Sequence, residues 1–383
     1  MRFEFATVNR IAFGPGAVKE IAPTAATYGR VVMLVTGSNP ARAAGVRAAL
    51  QRAGQGVVEF AISGEPTVEQ VEQGAALARQ ESCAVVVAFG GGSVIDAGKA
   101  IAALAPLSCS IFDHLEIIGK GLPLNTVGLP CIAVPTTAGT GAEVTRNSVL
   151  TSSAHRLKVS LRSPHMLPKL AVVDPELTYE LSPELSASTG MDALTQLIEP
   201  FTSNAANPMT DALCREAIPH AARSLRRVCT NARDATARES MALASLFGGL
   251  ALANAKLGAV HGFAGVIGGR TGAAHGVICA RLLPTVTERN IRALRERSPE
   301  SPVLARYAEV ARMLTGNHSA SADDAVAWLR ALIADLPVPA FATCGLRTED
   351  YPEIAALSLN ASSMKGNPVA HDTQALVDVL KAL

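Results

Sequence analysis

A glycine-rich turn, residues 90–99 (GGGSVIDAGK), directly follows an apolar run rich in valine, residues 83–89. The apolar run predicts a buried strand, and the residues from 94 to 104 predict a helix. The glycines then lie at the N-terminus of that helix, where free backbone N–H groups and the helix dipole favour an anion such as a diphosphate. Residues without a side chain also let a phosphate approach the backbone closely. The alternative interpretation is a tight turn that binds nothing.

Strand-like and helix-like segments alternate over the first half of the chain. The strand-like runs are residues 31–36, 57–62, 83–89 and 131–135, and the helical patterns are residues 40–52, 67–80 and 94–104. This alternation predicts a parallel, Rossmann-like sheet covered by helices. In such sheets ligands bind at the carboxyl ends of the strands, where both Gly37 and the glycine-rich turn fall.

The second half of the chain has a different character. Alanine- and leucine-rich segments follow one another without a convincing strand, at residues 186–201, 208–228, 233–257 and beyond residue 303. A chain of 383 residues is also long for a single core. We therefore expect an α/β dinucleotide-binding domain over residues 1–180 and an all-α metal and substrate domain over residues 181–383.

Composition narrows the class of protein. Lysine and arginine number 34 against 33 acidic residues, mixed along the chain, so there is no basic stripe for nucleic acid. The N-terminus is charged, and no uninterrupted apolar window reaches membrane-spanning length. The sequence thus predicts a cytoplasmic protein without a membrane or nucleic-acid partner. The seven cysteines lack any Cys-x-x-Cys spacing and are interpreted as reduced thiols, mostly small core residues.

A second polar loop, residues 135–145 (PTTAGTGAEVT), also follows a strand-like run. Its threonines, Thr136, Thr137 and Thr140, offer hydroxyl and N–H groups to a phosphate, ribose or carboxamide. The alternative is a turn that caps a helix beginning near Glu143.

A metal site is suggested by one aspartate and two histidines. Asp192 and Gln196 stand four residues apart in a helical segment and so project from one face. A carboxylate facing a core is unfavourable unless it is paired or bound to a cation. His261 and His275 have small neighbours that leave each imidazole room to point into a cavity. Together these residues would suit a divalent transition metal. Five other histidines are interpreted as ordinary packed or surface residues: His114, His155, His165, His220 and His318.

The chain resembles the iron-containing (group III) alcohol dehydrogenases over nearly its whole length. The resemblance rests on seven segments in the family's order: residues 13–17 (FGPGA), 90–99, 135–141 (PTTAGTG), 189–195 (TGMDALT), the two histidine segments and 366–368 (GNP). It implies an active site in the cleft between an N-terminal dinucleotide domain and a C-terminal helical domain. It also implies NAD or NADP, a divalent metal (Fe²⁺ first, Zn²⁺ second), a small alcohol, aldehyde or oxo-acid substrate, and a homodimer.

Matching the motifs residue by residue carries the family's cofactor contacts to this chain. In the glycine-rich turn, Gly91, Gly92 and Ser93 would hold the diphosphate, with Asp96 in the same motif. The three threonines of the second loop would follow the phosphate, ribose and nicotinamide. Lys158 matches a lysine that approaches the ribose, and its alternative is a solvated surface lysine.

Cofactor choice is expected to depend on residues 37–39. Many NAD-selective relatives have an aspartate at the position of Gly37, where it binds the ribose 2′-OH and repels a 2′-phosphate. This chain has Gly37, Ser38 and Asn39 there, with Arg42 nearby, so we expect NADP(H) to be accepted at least comparably with NAD(H). The alternative is a polar turn in which Ser38 or Asn39 caps the next helix.

The family's usual metal ligands map to Asp192, His261, His275 and a histidine that is Gln196 in this chain. A glutamine oxygen binds a late transition metal more weakly than imidazole does. A further family histidine, thought to pass protons, is replaced by Gly265. The resemblance implies that the metal polarises the substrate oxygen while the nicotinamide exchanges hydride.

Three other functions stay open at this point. The first is a metal-free reductase of the maleylacetate type, in which His261 and His275 would donate hydrogen bonds to the developing alkoxide. The second is a non-redox lyase on a related fold, such as dehydroquinate synthase. The third is a ligand-binding relative that has lost catalysis.

Overall fold

The computed structural model describes residues 2–155 and 157–383 and divides the chain into two compact units. The sheet unit comprises Thr7–Thr137 and Gly141–Thr178. The helical unit comprises the residues before Thr7, the short segment Ala138–Thr140, and Tyr179–Leu383.

The sheet unit contains eight strands and four α-helices among its described residues. The strands are β1 (Ile11–Phe13), β2 (Val31–Thr36), β3 (Gly56–Ala61), β4 (Val85–Gly90), β5 (Cys131–Pro135), β6 (Asn147–Ser152), β7 (Leu157–Arg162) and β8 (Leu170–Val173). The helices are α1 (Ile21–Ala26), α2 (Ala44–Arg52), α3 (Val68–Gln80) and α4 (Gly92–Leu104).

Six of these strands form one parallel sheet in the order β1-β8-β5-β4-β2-β3, which confirms the predicted α/β class. Both faces are buried because alternate side chains enter two different cores. Met33 and Val35 pack with α3 and α4, whereas Val32 and Leu34 pack on the opposite face. The chain turns in opposite directions from β2 and β4, so the loops after these neighbouring strands meet at the switch point where such sheets bind ligands.

The sheet unit differs from the sequence prediction in three places. Strands β1 and β8 were not predicted, because runs of three and four residues carry too short an alternation to detect. Strands β6 and β7 form a separate antiparallel hairpin that was also not predicted. The alternative interpretation of residues 135–145, a turn that caps a helix beginning near Glu143, was wrong: only one 3₁₀ turn, Ala142–Val144, forms there, because Thr145 already has extended backbone angles.

The helical unit contains nine α-helices in the described residues, which confirms the predicted all-α class. They are α5 (Pro183–Thr202), α6 (Pro208–Thr230), α7 (Ala235–Asn254), α8 (Ala259–Thr271), α9 (His275–Arg297), α10 (Pro302–Thr315), α11 (Ala322–Asp335), α12 (Tyr351–Leu359) and α13 (Thr373–Lys381). Helix α5 is the centre of this unit, with Leu194, Leu197 and Phe201 completely or almost completely buried in its core. Helices α8 and α9 were not predicted; in α8, four glycines weaken the helical pattern.

No single helix among the described residues is long and apolar enough to cross a bilayer. One bent pair, α7 and α8 at 97° to each other, reaches that length and composition together.

Candidate metal centre and cofactor loops

Three helices of the helical unit bring Asp192, His261 and His275 together. Asp192 lies on α5, and its Oδ1 atom is 3.3 Å from Nε2 of His261 on α8. The same oxygen is 3.6 Å from Nε2 of His275, the first residue of α9. Two imidazole nitrogens therefore face one carboxylate oxygen, in the arrangement of ligands around a common cation.

Glycines permit the close helix packing that produces this geometry. A Cβ on Gly276 would lie 2.4 Å from the backbone oxygen of Ser188, so the start of α9 rests directly on the backbone of α5. A Cβ on Gly258 would lie 2.8 Å from Oε1 of Glu199. A side chain at either position would push a histidine-bearing helix away from α5.

Glu199 fixes the orientation of His261. Its Oε2 atom is 2.6 Å from Nδ1 of His261, and its Oε1 atom accepts the Val260 N–H at 2.7 Å. One carboxylate thus caps the N-terminus of α8 and holds the ring so that Nε2 faces Asp192. Sequence reasoning missed Glu199, although its position seven residues after Asp192 places it on the same helix face.

The charges of the site stabilise one another. Burial alone would lower the pKa of His261, but the neighbouring carboxylates of Asp192 and Glu199 raise it to about 10. Burial alone would raise the pKa of Asp192, but His275 and His261 outweigh burial and lower it. Because a metal needs the unprotonated nitrogen, a cation and a proton would compete for Nε2 of His261.

The residues present fit a divalent transition metal. Within the part of the chain that the structure describes, three buried polar atoms of this region have no hydrogen-bond partner: Asp192 Oδ1, His261 Nε2 and Gln196 Oε1. Such atoms are unfavourable in a protein interior unless a ligand satisfies them. Imidazoles with one carboxylate are typical of transition-metal sites, whereas Mg²⁺ and Ca²⁺ prefer oxygen ligands alone.

The two positions that differ from the family pattern, Gln196 and Gly265, have different surroundings. Gln196 is buried, and its Oε1 atom lies 3.7 Å from the place of a Cβ on Gly248. Gly265 has open space beside it: apart from its chain neighbours and the nearby backbone of its own helix, no heavy atom would lie within 4 Å of an added Cβ.

Cys279 also belongs to this cluster, although sequence reasoning assigned the cysteines mainly to packing. Its Sγ atom lies 3.6 Å from Nε2 of His275, one helical turn earlier on α9. One ligand atom from each of Asp192, His261, His275 and Cys279 lies within 4.8 Å of every other. The spacing of four residues from His275 was the available signal.

The predicted diphosphate site lies at the start of α4 in the sheet unit. Gly91 is the N-cap residue of α4, and the Gly91 side chain position offers no capping group to the first N–H groups of this helix. Gly37, after β2, would place a Cβ 3.8 Å from the Val94 side chain in the first turn of α4. Thr137, after β5, lies 3.5 Å from the place of a Cβ on Gly91. The loops after three neighbouring strands therefore adjoin one helix N-terminus.

Three of the predicted cofactor residues have hydrogen-bond or ion-pair partners within the protein. Asp96 binds buried Lys99 at 2.9 Å and accepts the Val149 N–H at 2.9 Å. Lys158 forms an ion pair with Glu65 at 3.2 Å. Asn39 caps the short 3₁₀ helix after β2, as the alternative interpretation expected.

The other predicted cofactor residues lie in or directly beside three loops. Gly92 and Ser93 are in the first turn of α4, and Ser38 is exposed after β2. Thr136 is buried and donates its N–H to the Gly90 carbonyl oxygen, and Thr140 is in the short segment assigned to the helical unit.

Comparison with known proteins decides the family. The model for iron-containing alcohol dehydrogenases matches residues 8–175, and that for the C-terminal part of the Fe-containing alcohol dehydrogenase family matches residues 186–383. The chain belongs to the iron-containing alcohol dehydrogenase family. It is thus an oxidoreductase of the kind that acts on CH–OH groups, with a small-molecule alcohol or aldehyde substrate.

Individual members of this family align with almost the entire chain. The 1,3-propanediol dehydrogenase of Klebsiella pneumoniae is 33% identical over 99% of this chain and 98% of its own length. A solved structure of a 1,3-propanediol oxidoreductase has a TM-score of 0.92 at 32% identity, covering 100% of both chains. The structure of sulfoacetaldehyde reductase from Bifidobacterium kashiwanohense, in complex with NAD⁺, has a TM-score of 0.88 at 29% identity, covering 100% of this chain and 99% of its own.

Proposed function

We propose that this family member is a metal-assisted, NAD(P)-dependent dehydrogenase that interconverts small alcohols with aldehydes or oxo-acids. Asp192, His261 and His275 are its principal metal ligands, with Gln196 beside them. The observation that carries the proposal is the single carboxylate oxygen of Asp192, which lies 3.3 and 3.6 Å from the Nε2 atoms of the two histidines. The NAD⁺ complex of the sulfoacetaldehyde reductase supports the choice of a nicotinamide cofactor.

One compact unit would bind the cofactor and the other would bind the metal. In the domain over residues 1–180, the uncapped start of α4 with Gly91 and Ser93 would bind the diphosphate. In the domain over residues 181–383, the three helices that carry the ligand group would hold the metal. The homodimer and the cytoplasmic location expected from the sequence stay predictions.

The chain's own residues orient the reaction. A bound divalent ion would supply Lewis-acid polarisation of the substrate oxygen. Glu199 fixes the imidazole plane of His261, and the close contact of Gly276 with α5 sets the distance from His275 to Asp192. Burial of Asp192 and His261 excludes water from their side of the site and so strengthens their electrostatic interactions. Gly265 offers no side chain for proton transfer, so another group or water must exchange the proton with solvent.

The proposal is tested with a panel of aldehydes, oxo-acids and alcohols assayed by nicotinamide absorbance with both NADH and NADPH. We expect turnover of at least one substrate by the unmodified protein and its loss in His275→Ala. The exposed His318→Ala variant is the matched control and should retain full activity. Equal activity of His275→Ala and the control would contradict the proposed ligand role. An absence of nicotinamide-dependent turnover with every substrate would favour the lyase or the ligand-binding alternative.

A further inference from the structure

The metal-ligand group of this chain has an unusual composition for its proposed function. The histidine expected four residues after Asp192 is Gln196, whose amide oxygen is a weak ligand for a late transition metal. A strong fourth donor, however, stands on the opposite helix of the site. Cys279 lies one turn after His275 on α9, so both side chains project from the same face.

We infer that Cys279 is a metal ligand, so that this protein holds its ion with an Asp192–His261–His275–Cys279 set and favours Zn²⁺ over Fe²⁺. The inference rests on the proposed metal-assisted function and specifies its ligand chemistry. It assigns to a thiolate the role of the fourth ligand, which the family's histidine at the position of Gln196 would otherwise have.

The distances among the four side chains support this assignment. Bonds of about 2.0–2.3 Å to nitrogen, oxygen and sulfur give tetrahedral ligand–ligand edges of roughly 3.3–3.8 Å. The observed separations are 3.3 Å from Asp192 Oδ1 to His261 Nε2 and 3.6 Å from the same oxygen to His275 Nε2. The separation from His275 Nε2 to Cys279 Sγ is also 3.6 Å. These three edges match those of an ion-centred tetrahedron, and all four ligand atoms lie within 4.8 Å of one another.

The surroundings of Cys279 suit a buried ligand. Cys279 is fully buried, on a helix whose close contact with α5 fixes its position. On ligation the thiol proton is released to solvent and the thiolate binds the ion. Zinc accepts a fifth ligand, so four protein donors still leave a position for a substrate oxygen.

Metal preference follows from the donor set. Thiolate is a soft ligand that selects Zn²⁺ among the available ions, whereas an additional imidazole would suit Fe²⁺ and Zn²⁺ alike. Replacing the thiolate should therefore weaken zinc binding more than iron binding.

The test is zinc X-ray absorption on apo-protein reloaded with one equivalent of Zn²⁺. We expect a sulfur scatterer at about 2.3 Å in the unmodified protein. Cys279→Ser should lose this scatterer, whereas Cys214→Ser, at another fully buried cysteine of the helical unit, should retain it. Competition with a chelator should show weaker zinc binding in Cys279→Ser by more than the roughly 10–100-fold typical of losing an outer-shell partner.

The outcomes separate the inference from the proposed function. Bound zinc surrounded only by nitrogen and oxygen in the unmodified protein would overturn the role of Cys279 and leave the Asp192–His261–His275 site intact. Failure to bind any divalent ion would overturn both. Since the sulfur shell is measured first in the unmodified protein, poor folding of Cys279→Ser would not decide the result; Cys279→Ala then provides the affinity comparison.

Discussion

Glu199 contacts His261 and the helix that carries it with its two carboxylate oxygens. Oε2 lies 2.6 Å from Nδ1 of His261, and Oε1 accepts the Val260 N–H at the start of α8. The two contacts combine a local function, capping the N-terminus of α8, with an orienting function in the ligand group. Loss of either contact would allow the His261 ring to turn its Nε2 atom away from Asp192.

Glu199→Gln should therefore weaken the metal site without unfolding the protein. The amide keeps one oxygen for the Val260 N–H but removes the negative charge beside the imidazole. We expect metal affinity to fall roughly 10–100-fold, the usual effect of losing an outer-shell partner, as measured by chelator competition. Glu184→Gln, at an exposed position on the same helix, is the matched control. Unchanged metal affinity in Glu199→Gln would show that this carboxylate has only a capping role.

The contact of Gly276 with α5 predicts a second sensitive position. In Gly276→Ala the added Cβ would approach the Ser188 backbone oxygen to 2.4 Å, so α9 must move and carry His275 with it. We expect a loss of about 1–3 kcal/mol in the free energy of unfolding from overpacking, measured by urea denaturation, together with weaker metal binding.

Gly265→Ala is the contrasting variant for Gly276→Ala. The position is inside helix α8, and its added Cβ would have no heavy atom within 4 Å apart from its chain neighbours and the nearby backbone of that helix. Replacing a helical glycine there should stabilise the protein by about 0.4–1 kcal/mol. Equal effects of the two substitutions would mean that the close approach of α9 to α5 does not determine the site.

Two glycines at the start of α4 allow an effect on cofactor binding to be distinguished from an effect on stability. A Cβ on Gly91 would make only ordinary contacts, 3.5 Å from Thr137, but would stand beside the uncapped helix end. Gly91→Ala should therefore raise the KM for the nicotinamide cofactor while thermal unfolding stays unchanged. Gly90→Ala should instead lower the unfolding temperature, because its Cβ would meet the Val94 side chain at 2.6 Å. An unchanged KM in Gly91→Ala would place the diphosphate elsewhere.

Gly37 tests the choice between NAD(H) and NADP(H). The position has room for a side chain, since its Cβ would lie 3.8 Å from Val94. We expect the unmodified protein to use NADPH at least comparably with NADH. A carboxylate in Gly37→Asp would repel a 2′-phosphate and shift the ratio of kcat/KM values toward NADH by about tenfold or more. A strong preference for NADH that Gly37→Asp leaves unaltered would show that residues 37–39 do not contact the adenosine ribose.

The sequence predicted those elements whose pattern is long and local. Residues 31–36 and 131–135 are continuous apolar runs, and the structure has strands with these bounds. Strand β1 has only three residues and depends on its parallel partner β8, more than 150 positions away, so no local pattern could predict it. Helix α8 was missed because its stability depends on packing and on the cap from Glu199 rather than on helix propensity.

The metal-ligand group, too, could be predicted only in part from local sequence patterns. Asp192, His261 and His275 were found from residue type and motif, which need no coordinates. Glu199 and Cys279 become meaningful only when three helices are placed together, since Glu199 and His261 are 62 positions apart. Their spacings of seven residues from Asp192 and four from His275 agree with shared helix faces, but many core residues have such spacings.

The central claim, a metal-assisted dehydrogenase centred on Asp192, His261 and His275, is tested most directly by titrating chelator-treated protein with a divalent metal under anaerobic conditions. Bound metal and nicotinamide-dependent turnover are measured on the same samples. The account predicts that turnover is lost on exhaustive chelation, returns with metal, and stops increasing at about one ion per chain. Full activity in protein from which all metal has been removed would contradict it and would favour a metal-free reductase.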